Sequence, residues 1–144
     1  MKLSKLTPNL AVADIRQTVE FYCNNLGFSL VMAVPITQDG IDEQLLDDKE
    51  YVYAMLKKEE VEVMFQRLDS FCNDVVLAKN TSVGASVSFY MEGKGIEELH
   101  TQLKSKGIQM TELKLTWYGI KEFYIKDNNN YILGFAEELE KAEY

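Results

Sequence analysis

The chain opens with an alternating apolar pattern that gives way to helical spacing. Residues 6–12 carry apolar side chains at every second position, which predicts a strand covered on one face only. Asp14 and Gln17 form a plausible capping box for the next helix, and Gly27 is suited to end it. The apolar side chains of this helix recur at helical spacing, at Ile15, Val19, Tyr22 and Leu26. A strand followed by an amphipathic helix is therefore predicted.

The same order of elements recurs in the second half of the chain. Three further strands are predicted at residues 28–34, 51–56 and 61–67, followed by a polar linker at 70–82. The second half has a strand at 85–91, a helix at 93–105 that ends near Gly107, and strands at 108–113, 118–126 and 131–137. Because each half reads strand, helix and three strands, the pattern predicts an α+β fold of two modules, about 5–67 and 84–137. The acidic tail at 138–144 is expected to form one helical turn or to fray.

Length and composition favour one ordinary globular domain. A chain of 144 residues that is 47% hydrophobic can bury its own core, and no window approaches the roughly 18–20 apolar residues of a membrane helix. No apolar segment follows the first residues, so no secretory signal is predicted. Cys23 and Cys72 lie outside any Cys-x-x-Cys spacing, which predicts neither a disulfide framework nor a zinc site. The expected compartment is the cytoplasm.

The charge of the chain restricts its partners. A net charge of −8 argues against nucleic acid, whose phosphates require a basic surface, and favours a cationic small molecule over an anionic one. Six of the acidic residues fall in one predicted loop, at Asp39, Asp42, Glu43, Asp47, Asp48 and Glu50. This acidic loop (residues 39–50) is predicted to be solvated and mobile. The alternative is a flap that closes over a pocket or contacts a partner subunit.

Two segments carry a resemblance to a known family. One is the hairpin Phe123-Tyr124-Ile125-Lys126-Asp127-Asn128-Asn129-Asn130-Tyr131, whose Asp and Asn side chains supply their own turn chemistry. The other runs from Val12-Ala13-Asp14-Ile15 through Phe21-Tyr22 to Asn25-Leu26-Gly27-Phe28. Together they resemble the vicinal-oxygen-chelate superfamily, the glyoxalase, bleomycin-resistance and ring-cleaving dioxygenase group. Asn128 and Asn130 stand where the family commonly has Pro and Gly.

The resemblance implies both an architecture and a test for metal binding. It implies the glyoxalase/bleomycin resistance/dihydroxybiphenyl dioxygenase fold, with curved mixed sheets facing a shared cleft, and a homodimer. Metal-using members place four ligands in the cleft, usually His or Gln, Glu, His and Glu. The matching residues here are Thr7, Glu62, Ser86 and Gly134. Only Glu62 is a strong ligand, so no metal and no other cofactor are predicted.

The cleft faces inferred from strand parity carry the candidate ligand-binding residues. These residues are Asn9, Glu62, Met64, Ser86, Ser88, Tyr90, Trp117, Glu122 and Tyr124. Aromatic faces beside carboxylates favour a planar or cationic compound. The alternative is that the aromatic side chains only fill a collapsed cleft. The single histidine, His100, is predicted on the second helix, outside the sheet, so no histidine base is available for nucleophilic catalysis.

Three functions remain open from the sequence. The favoured one is a metal-independent binding protein of the glyoxalase/bleomycin-resistance type that sequesters a cationic or aromatic small molecule. The alternative is a metal-dependent lyase, isomerase or dioxygenase that uses Glu62, and an acid–base pair of Glu62 and Glu122 is a related possibility. The third is a regulatory or interaction domain whose cleft has closed. Neither nucleic acid nor a membrane is an expected partner.

Overall fold

The computed structural model describes residues 1–139, which form two compact units that divide after Gly84. Each unit contains a four-stranded mixed sheet, as the α+β prediction requires. No helix within residues 1–139 is long and apolar enough to span a membrane. Glu138, predicted to begin the acidic tail, is instead the last residue of a strand, and residues 140–144 lie outside the described part of the chain.

Unit 1 follows the predicted order of strand, helix and three strands. Its elements are β1 (Asn9–Val12), α1 (Ile15–Leu26), β2 (Ser29–Pro35), β3 (Tyr51–Lys58) and β4 (Val61–Arg67). The strand order is β1-β4-β3-β2, with β1 parallel to β4 and the other neighbours antiparallel. The β3–β4 turn at Glu59 and Glu60 brings these two strands together directly, which leaves β1 to add to the free edge of β4.

Helix α1 forms where the capping signals predict it. The Asp14 side chain accepts a hydrogen bond from the Gln17 amide at 2.8 Å, and Gly27 ends the helix with a φ of 74° that favours glycine. Tyr22, on the apolar face of α1, packs against the sheet, with its ring centroid 4.7 Å from that of Phe65. The same ring lies 5.5 Å from that of Phe28. The α1 side of the unit 1 sheet is therefore its core.

Two predictions for unit 1 are wrong. Strand β1 is shorter than residues 6–12, and Leu10, Ala11 and Val12 are all buried, so the strand is covered on both faces. The predicted linker at 70–82 contains a helix, α2 (Leu68–Asp74), and a 3₁₀ turn (Val76–Ala78). Helix α2 packs against β1 and β4. It covers the second face of β1, and β1 is therefore buried on both faces.

Helix α2 leaves all seven of its residues at least partly exposed. Polar contacts help to attach it to the sheet: the Gln66 side-chain amide donates to the Ser70 hydroxyl at 2.9 Å and to the Asp74 carboxylate at 2.7 Å. Its apolar side chains, Leu68, Phe71 and Cys72, have helical spacing but span less than two turns. So short a window does not distinguish a helix from a linker in the sequence.

The acidic loop is anchored at three points, which differs from the mobile loop predicted. Asp42 pairs with Ala33 in an isolated bridge, and its carboxylate accepts from the Tyr51 hydroxyl at 2.8 Å. Arg16 Nη2 donates to the carbonyl oxygens of Leu46 at 2.6 Å and Lys49 at 3.0 Å. The hydrogen bond from Tyr51 and then that from Lys49 lower the pKa of Asp42. This contribution to loop order is present at neutral pH and is lost as the pH falls through the lowered pKa.

Replacing Arg16 with alanine should loosen the acidic loop. The variant loses both hydrogen bonds to loop carbonyls, and bonds from charged donors are among the stronger ones. We expect trypsin to cleave after Lys49 about three to ten times faster than in the wild type, measured by mass spectrometry under native conditions. Arg16→Lys, which can retain one of the bonds, should lie between the two. An unchanged rate would show that Asp42 and Tyr51 hold the loop without Arg16.

Unit 2 repeats the order of unit 1. Its elements are β5 (Ser88–Glu92), α3 (Ile96–Lys104), β6 (Lys114–Leu115), β7 (Ile120–Lys126) and β8 (Ile132–Glu138). The strand order is β5-β8-β7-β6, with β5 parallel to β8. The pairing of a first strand with a last strand is thus the same in both units. The prediction of two strand–helix–three-strand modules is confirmed.

The predicted strand at 108–113 is the main error in unit 2. This segment runs beside β7 with separate contacts rather than a continuous ladder. Met110 forms an isolated bridge with Ile125, and the Thr111 amide donates to the Tyr124 carbonyl oxygen at 2.8 Å. The Thr111 hydroxyl in turn accepts from the Tyr124 amide at 2.9 Å, so a side chain replaces one backbone partner. The regular strand, β6, comes only afterwards and has two residues.

The hairpin tip between β7 and β8 has the predicted turn chemistry. Asp127 is buried, and its Oδ1 atom accepts from the amides of Asn129 at 2.8 Å and Tyr131 at 2.9 Å. Asn130 has a φ of 67°, a left-handed conformation that asparagine tolerates better than most residues. The tip therefore forms without the Pro and Gly that relatives commonly have there.

Candidate functional site

Three residues of unit 2 form one row across the sheet face that lies opposite α3. Tyr90 on β5 pairs with Gly134 on β8, and Gly134 pairs with Tyr124 on β7. Paired residues of neighbouring strands project their side chains from the same face. The alternating residues of these strands, including Phe123, face the other way, where Phe123 packs on His100 of α3 with ring centroids 4.9 Å apart. The tyrosine row is thus on the open face.

Both tyrosine rings lie against the backbone of Gly134. A Cβ atom placed on Gly134 would be 2.7 Å from Tyr124 Cε1 and 3.0 Å from Tyr90 Cδ1, closer than carbon atoms approach without displacement. Glycine is therefore required for the rings to adopt these positions. The resemblance had matched Gly134 with a metal ligand, and the rings occupy the space that a ligand side chain would need.

Glu122 completes this cluster on the same face. The Tyr90 hydroxyl donates to Glu122 Oε2 at 2.6 Å. This hydrogen bond is the main cause, and burial the second cause, of a Tyr90 pKa well above its ordinary value. The pKa of Tyr124 is also raised, first by burial and then by the nearby Glu122 charge. Both phenols consequently stay protonated at neutral pH, and Glu122 provides the anionic group. Tyr90, Tyr124 and Glu122 are called the tyrosine–glutamate corner below.

The other unit 2 candidates lie away from this corner or beside it. Ser88 starts β5, one row further along, where it pairs with Ile132. Ser86 is exposed and precedes β5, so its predicted place in a strand is wrong because that strand begins two residues later. Trp117 is 95% exposed in the turn between β6 and β7. Its ring meets that of Tyr118 edge-on, with the ring centroids 5.0 Å apart.

A groove of about 580 Å³ adjoins the row that contains Glu122. Its lining includes Ala136, which is the cross-strand partner of Glu122, and Ile120 at the start of β7. Glu92 and Lys94 also line it. The groove was not predicted, because it depends on how β5, β7 and β8 are aligned and no single segment signals it.

In unit 1, the sheet face opposite α1 carries a row of methionines. Asn9 pairs with Met64, Met64 pairs with Met55, and Met55 pairs with Met32, all partly exposed. The sequence placed Asn9 and Met64 on this face but missed Met32 and Met55, since only the strand register puts them beside Met64. Flexible thioether side chains adapt to varied apolar ligands. Asn9 Nδ2 also donates to Gln66 Oε1 at 3.0 Å, which links it to the polar contacts of α2.

Glu62 is already engaged by two lysines of unit 1. Its Oε2 atom accepts from the Lys5 ammonium group, and Lys57, its cross-strand partner, places Nζ 3.9 Å from Oε1. The sequence had treated Glu62 as the strongest candidate for holding a cation or a metal ion. With two ammonium groups beside it, this carboxylate is less suited to either role than the sequence suggested.

The remaining potential metal ligands are dispersed. Thr7 offers only a hydroxyl, and His100 is buried on α3 with Nε2 3.1 Å from the Thr111 carbonyl oxygen. The prediction of His100 outside the sheet is correct, although it is more deeply buried than expected. Among residues 1–139, no three His, Cys, Asp or Glu side chains cluster so as to hold a metal ion. The donor set thus does not fit the four-ligand site of the metal-using relatives.

Each unit pairs its first strand with its last strand in parallel and packs a helix on one face of its sheet, as the fold implied by the resemblance requires. The family model described as the Glyoxalase/Bleomycin resistance protein/Dioxygenase superfamily matches residues 4–135. The chain belongs to this superfamily.

Individual proteins are similar to the chain along most of its length. The chain is 29% identical to the bleomycin resistance protein of Geobacillus stearothermophilus over 141 residues, covering 92% of this chain and 95% of the relative. The bleomycin resistance protein of Staphylococcus aureus gives the same values.

Solved structures show the same fold at lower sequence identity. TnmS3, an antibiotic binding protein from Streptomyces sp. CB03234, has a TM-score of 0.67 at 15% identity, covering 96% of this chain and 99% of that one. The bleomycin resistance determinant encoded on transposon Tn5 has a TM-score of 0.61 at 18% identity, covering 94% and 98%.

Proposed function

We propose that this protein binds a small cationic or aromatic molecule without a metal ion, in the manner its bleomycin-resistance relatives are named for. The observation that carries the proposal is the tyrosine–glutamate corner. Two aromatic rings and a carboxylate stand on the open sheet face at the position where metal-using relatives are expected to have a ligand. Such a surface contributes contact area and charge for binding a small molecule.

The steric argument at Gly134 supports metal independence. A carboxylate at this position would have to displace both tyrosine rings, since even a Cβ atom comes within 3.0 Å of each. The candidate ligand in unit 1, Glu62, is paired with lysine. Two of the four expected ligand positions are therefore altered in ways that disfavour a metal ion.

The names of the relatives indicate what size and class of ligand to test. The curated relatives are bleomycin resistance proteins, and one structural neighbour is an antibiotic binding protein. Within unit 2, the tyrosine–glutamate corner would contact such a ligand, with Ser88 one row away. The methionine row is a separate adaptable apolar surface within unit 1. We propose sequestration of an antibiotic-like compound in the cytoplasm as the biological role.

We also propose that the protein is a homodimer. Val76 and Leu77, in the 3₁₀ turn after α2, are 71% and 103% exposed, and exposed adjacent apolar side chains are typical of surfaces that meet a partner. Native mass spectrometry of protein purified without chelator measures the oligomeric state and the metal content together. We expect two chains and no stoichiometric metal.

Binding of bleomycin, measured by isothermal titration calorimetry, tests the ligand class. We expect the wild type to bind and Glu122→Gln to bind about tenfold more weakly, since a hydrogen bond to a charged group is lost or weakened. Glu20→Gln, on the exposed side of α1, removes the same charge and should bind like the wild type.

Three results would contradict the proposal. One transition metal ion per chain, retained on dialysis and lost in Glu62→Gln, would favour the metal-dependent lyase, isomerase or dioxygenase. Absence of binding to bleomycin and to other cationic aromatic antibiotics would argue against drug sequestration. Equal weakening by Glu122→Gln and Glu20→Gln would show that only the net charge matters.

A further inference from the structure

We infer that the tyrosine–glutamate corner binds an alkylammonium group of the ligand in preference to a planar guanidinium or amidinium group. The inference rests on the proposed function, because it names the part of the ligand that this site takes.

The two rings are arranged as an open corner. Their centroids are 6.3 Å apart and their planes are inclined by 41°, so the rings neither stack on each other nor close the space between their outer faces. Tyr90 is 43% exposed, which leaves its ring accessible from solvent. A cation placed at the corner can lie within about 6 Å of both ring centroids, the range in which a cation is attracted to an aromatic face.

Glu122 adds a full negative charge at one side of the corner. Its Oε2 atom is held by the Tyr90 hydroxyl at 2.6 Å. A guanidinium or amidinium group binds a carboxylate best through two parallel hydrogen bonds, one to each oxygen. Because Tyr90 already uses one of the two lone pairs of Oε2, the fork must share this oxygen with the Tyr90 hydroxyl and is weakened. An ammonium centre acts as a point charge and loses nothing by this arrangement.

Gly134 determines the depth of the corner. Because both rings rest against its backbone, a flat group cannot slide beneath them, and a ligand must approach from the outer side. A tetrahedral alkylammonium group presents its polarised C–H groups in several directions and can contact two inclined rings at once. A planar cation can cover only one ring in this geometry.

Three further charges lie on the open face around the corner. Lys114 is the cross-strand partner of Glu122, and Lys126 lies one row beyond Tyr124. Glu92 is in the same row as Glu122, with Ala136 between them. The two lysines disfavour a second cationic group of the ligand on their sides of the corner, whereas Glu92 favours one on its own side.

The experiment compares two aromatic cations of similar size. Benzyltrimethylammonium carries a tetrahedral ammonium centre, and benzamidine carries a planar amidinium group. Each is titrated into the full-length protein, and dissociation constants are taken from chemical-shift changes in two-dimensional NMR spectra. We expect benzyltrimethylammonium to bind several-fold more tightly and to shift the amides of Tyr90 and Tyr124. Tyr124→Leu should weaken its binding about two- to fivefold.

Controls separate the corner from general effects. Phe21→Leu replaces a half-buried ring on α1 in unit 1 and should leave the affinity for benzyltrimethylammonium unchanged. Tyr90→Phe frees the second Glu122 oxygen while keeping the ring, so the preference for benzyltrimethylammonium over benzamidine should shrink or reverse. That change in preference is a result that loss of folding would not produce.

The outcomes distinguish this inference from the proposed function. Equal or tighter binding of benzamidine by the wild type overturns the inference, as does binding that Tyr124→Leu leaves unchanged. If bleomycin fails to bind while the ammonium preference holds, drug sequestration is wrong and the corner remains an ammonium site. If bleomycin binds and the preference is absent, the proposed function stands and the inference fails.

Discussion

Asp127→Ala should be among the most destabilising single substitutions in the chain. The Asp127 side chain is the acceptor for two buried backbone amides, those of Asn129 and Tyr131. Each amide left without a partner costs about 1–3 kcal/mol, so we expect the free energy of unfolding to fall by about 2–4 kcal/mol. Urea denaturation followed by circular dichroism measures the change.

A matched variant isolates the role of the Asp127 acceptor. Asp127→Asn keeps an oxygen that can accept from both amides while it removes the charge, so it should retain most of the stability that alanine loses. If alanine and asparagine prove equally destabilising, the charge of Asp127 matters more than its hydrogen bonds. A loss below about 0.5 kcal/mol for alanine, the size of an ordinary surface change, would mean that the hairpin tip does not need its acceptor.

Gly134→Leu should disrupt both folding stability and ligand binding. The new side chain would occupy the place of the Tyr90 and Tyr124 rings, and overpacking of this kind typically costs about 1–3 kcal/mol. Rotation of the Tyr90 ring would also break its hydrogen bond to Glu122. We expect more than tenfold weaker bleomycin binding in calorimetry, together with a change in the near-ultraviolet circular dichroism of the tyrosines.

Two further glycine variants test whether the effect of Gly134→Leu depends on the size of the new side chain and on its position. Gly134→Ala adds only the Cβ atom and should show a smaller effect in the same direction. Gly40→Leu places an equal side chain in the acidic loop, where a Cβ atom meets nothing within 4 Å, and should bind like the wild type. If Gly134→Leu retains full affinity, the positions of the tyrosine rings do not determine binding.

Elements with local signals could be predicted from the sequence. Helix α1 depends on Asp14 and Gly27, each within one turn of the residues it caps, and the β7–β8 hairpin depends on the Asp127 turn. Glu122 and Tyr124 belong to one strand, so their common face follows from alternation alone. Strand β4 was also predicted with its observed bounds, Val61–Arg67, because its signal is local to those seven residues.

Features that depend on distant pairing could not be predicted. The contact of Tyr90 with Gly134 and Tyr124 requires the register between β5 and β8. These two strands are neighbours in the sheet but are separated along the chain by α3, β6 and β7. The neighbouring positions of Met32, Met55 and Met64 likewise follow only from the β2–β3–β4 register, including an irregularity after Leu30. The Lys5 partner of Glu62 precedes β1 by sequence and has no pattern that marks it.

Helix α2 has a consequence for how this sequence can vary. Ser70 and Asp74 bond to Gln66 and Asp69 bonds to Arg67, whereas Asn73 is exposed. The remaining residues of the helix, Leu68, Phe71 and Cys72, are half-buried. A substitution at Asn73 should therefore have little effect on the free energy of folding. This position could thus diverge among related proteins, or accept an engineered tag or fluorophore, while the core of unit 1 stays constant.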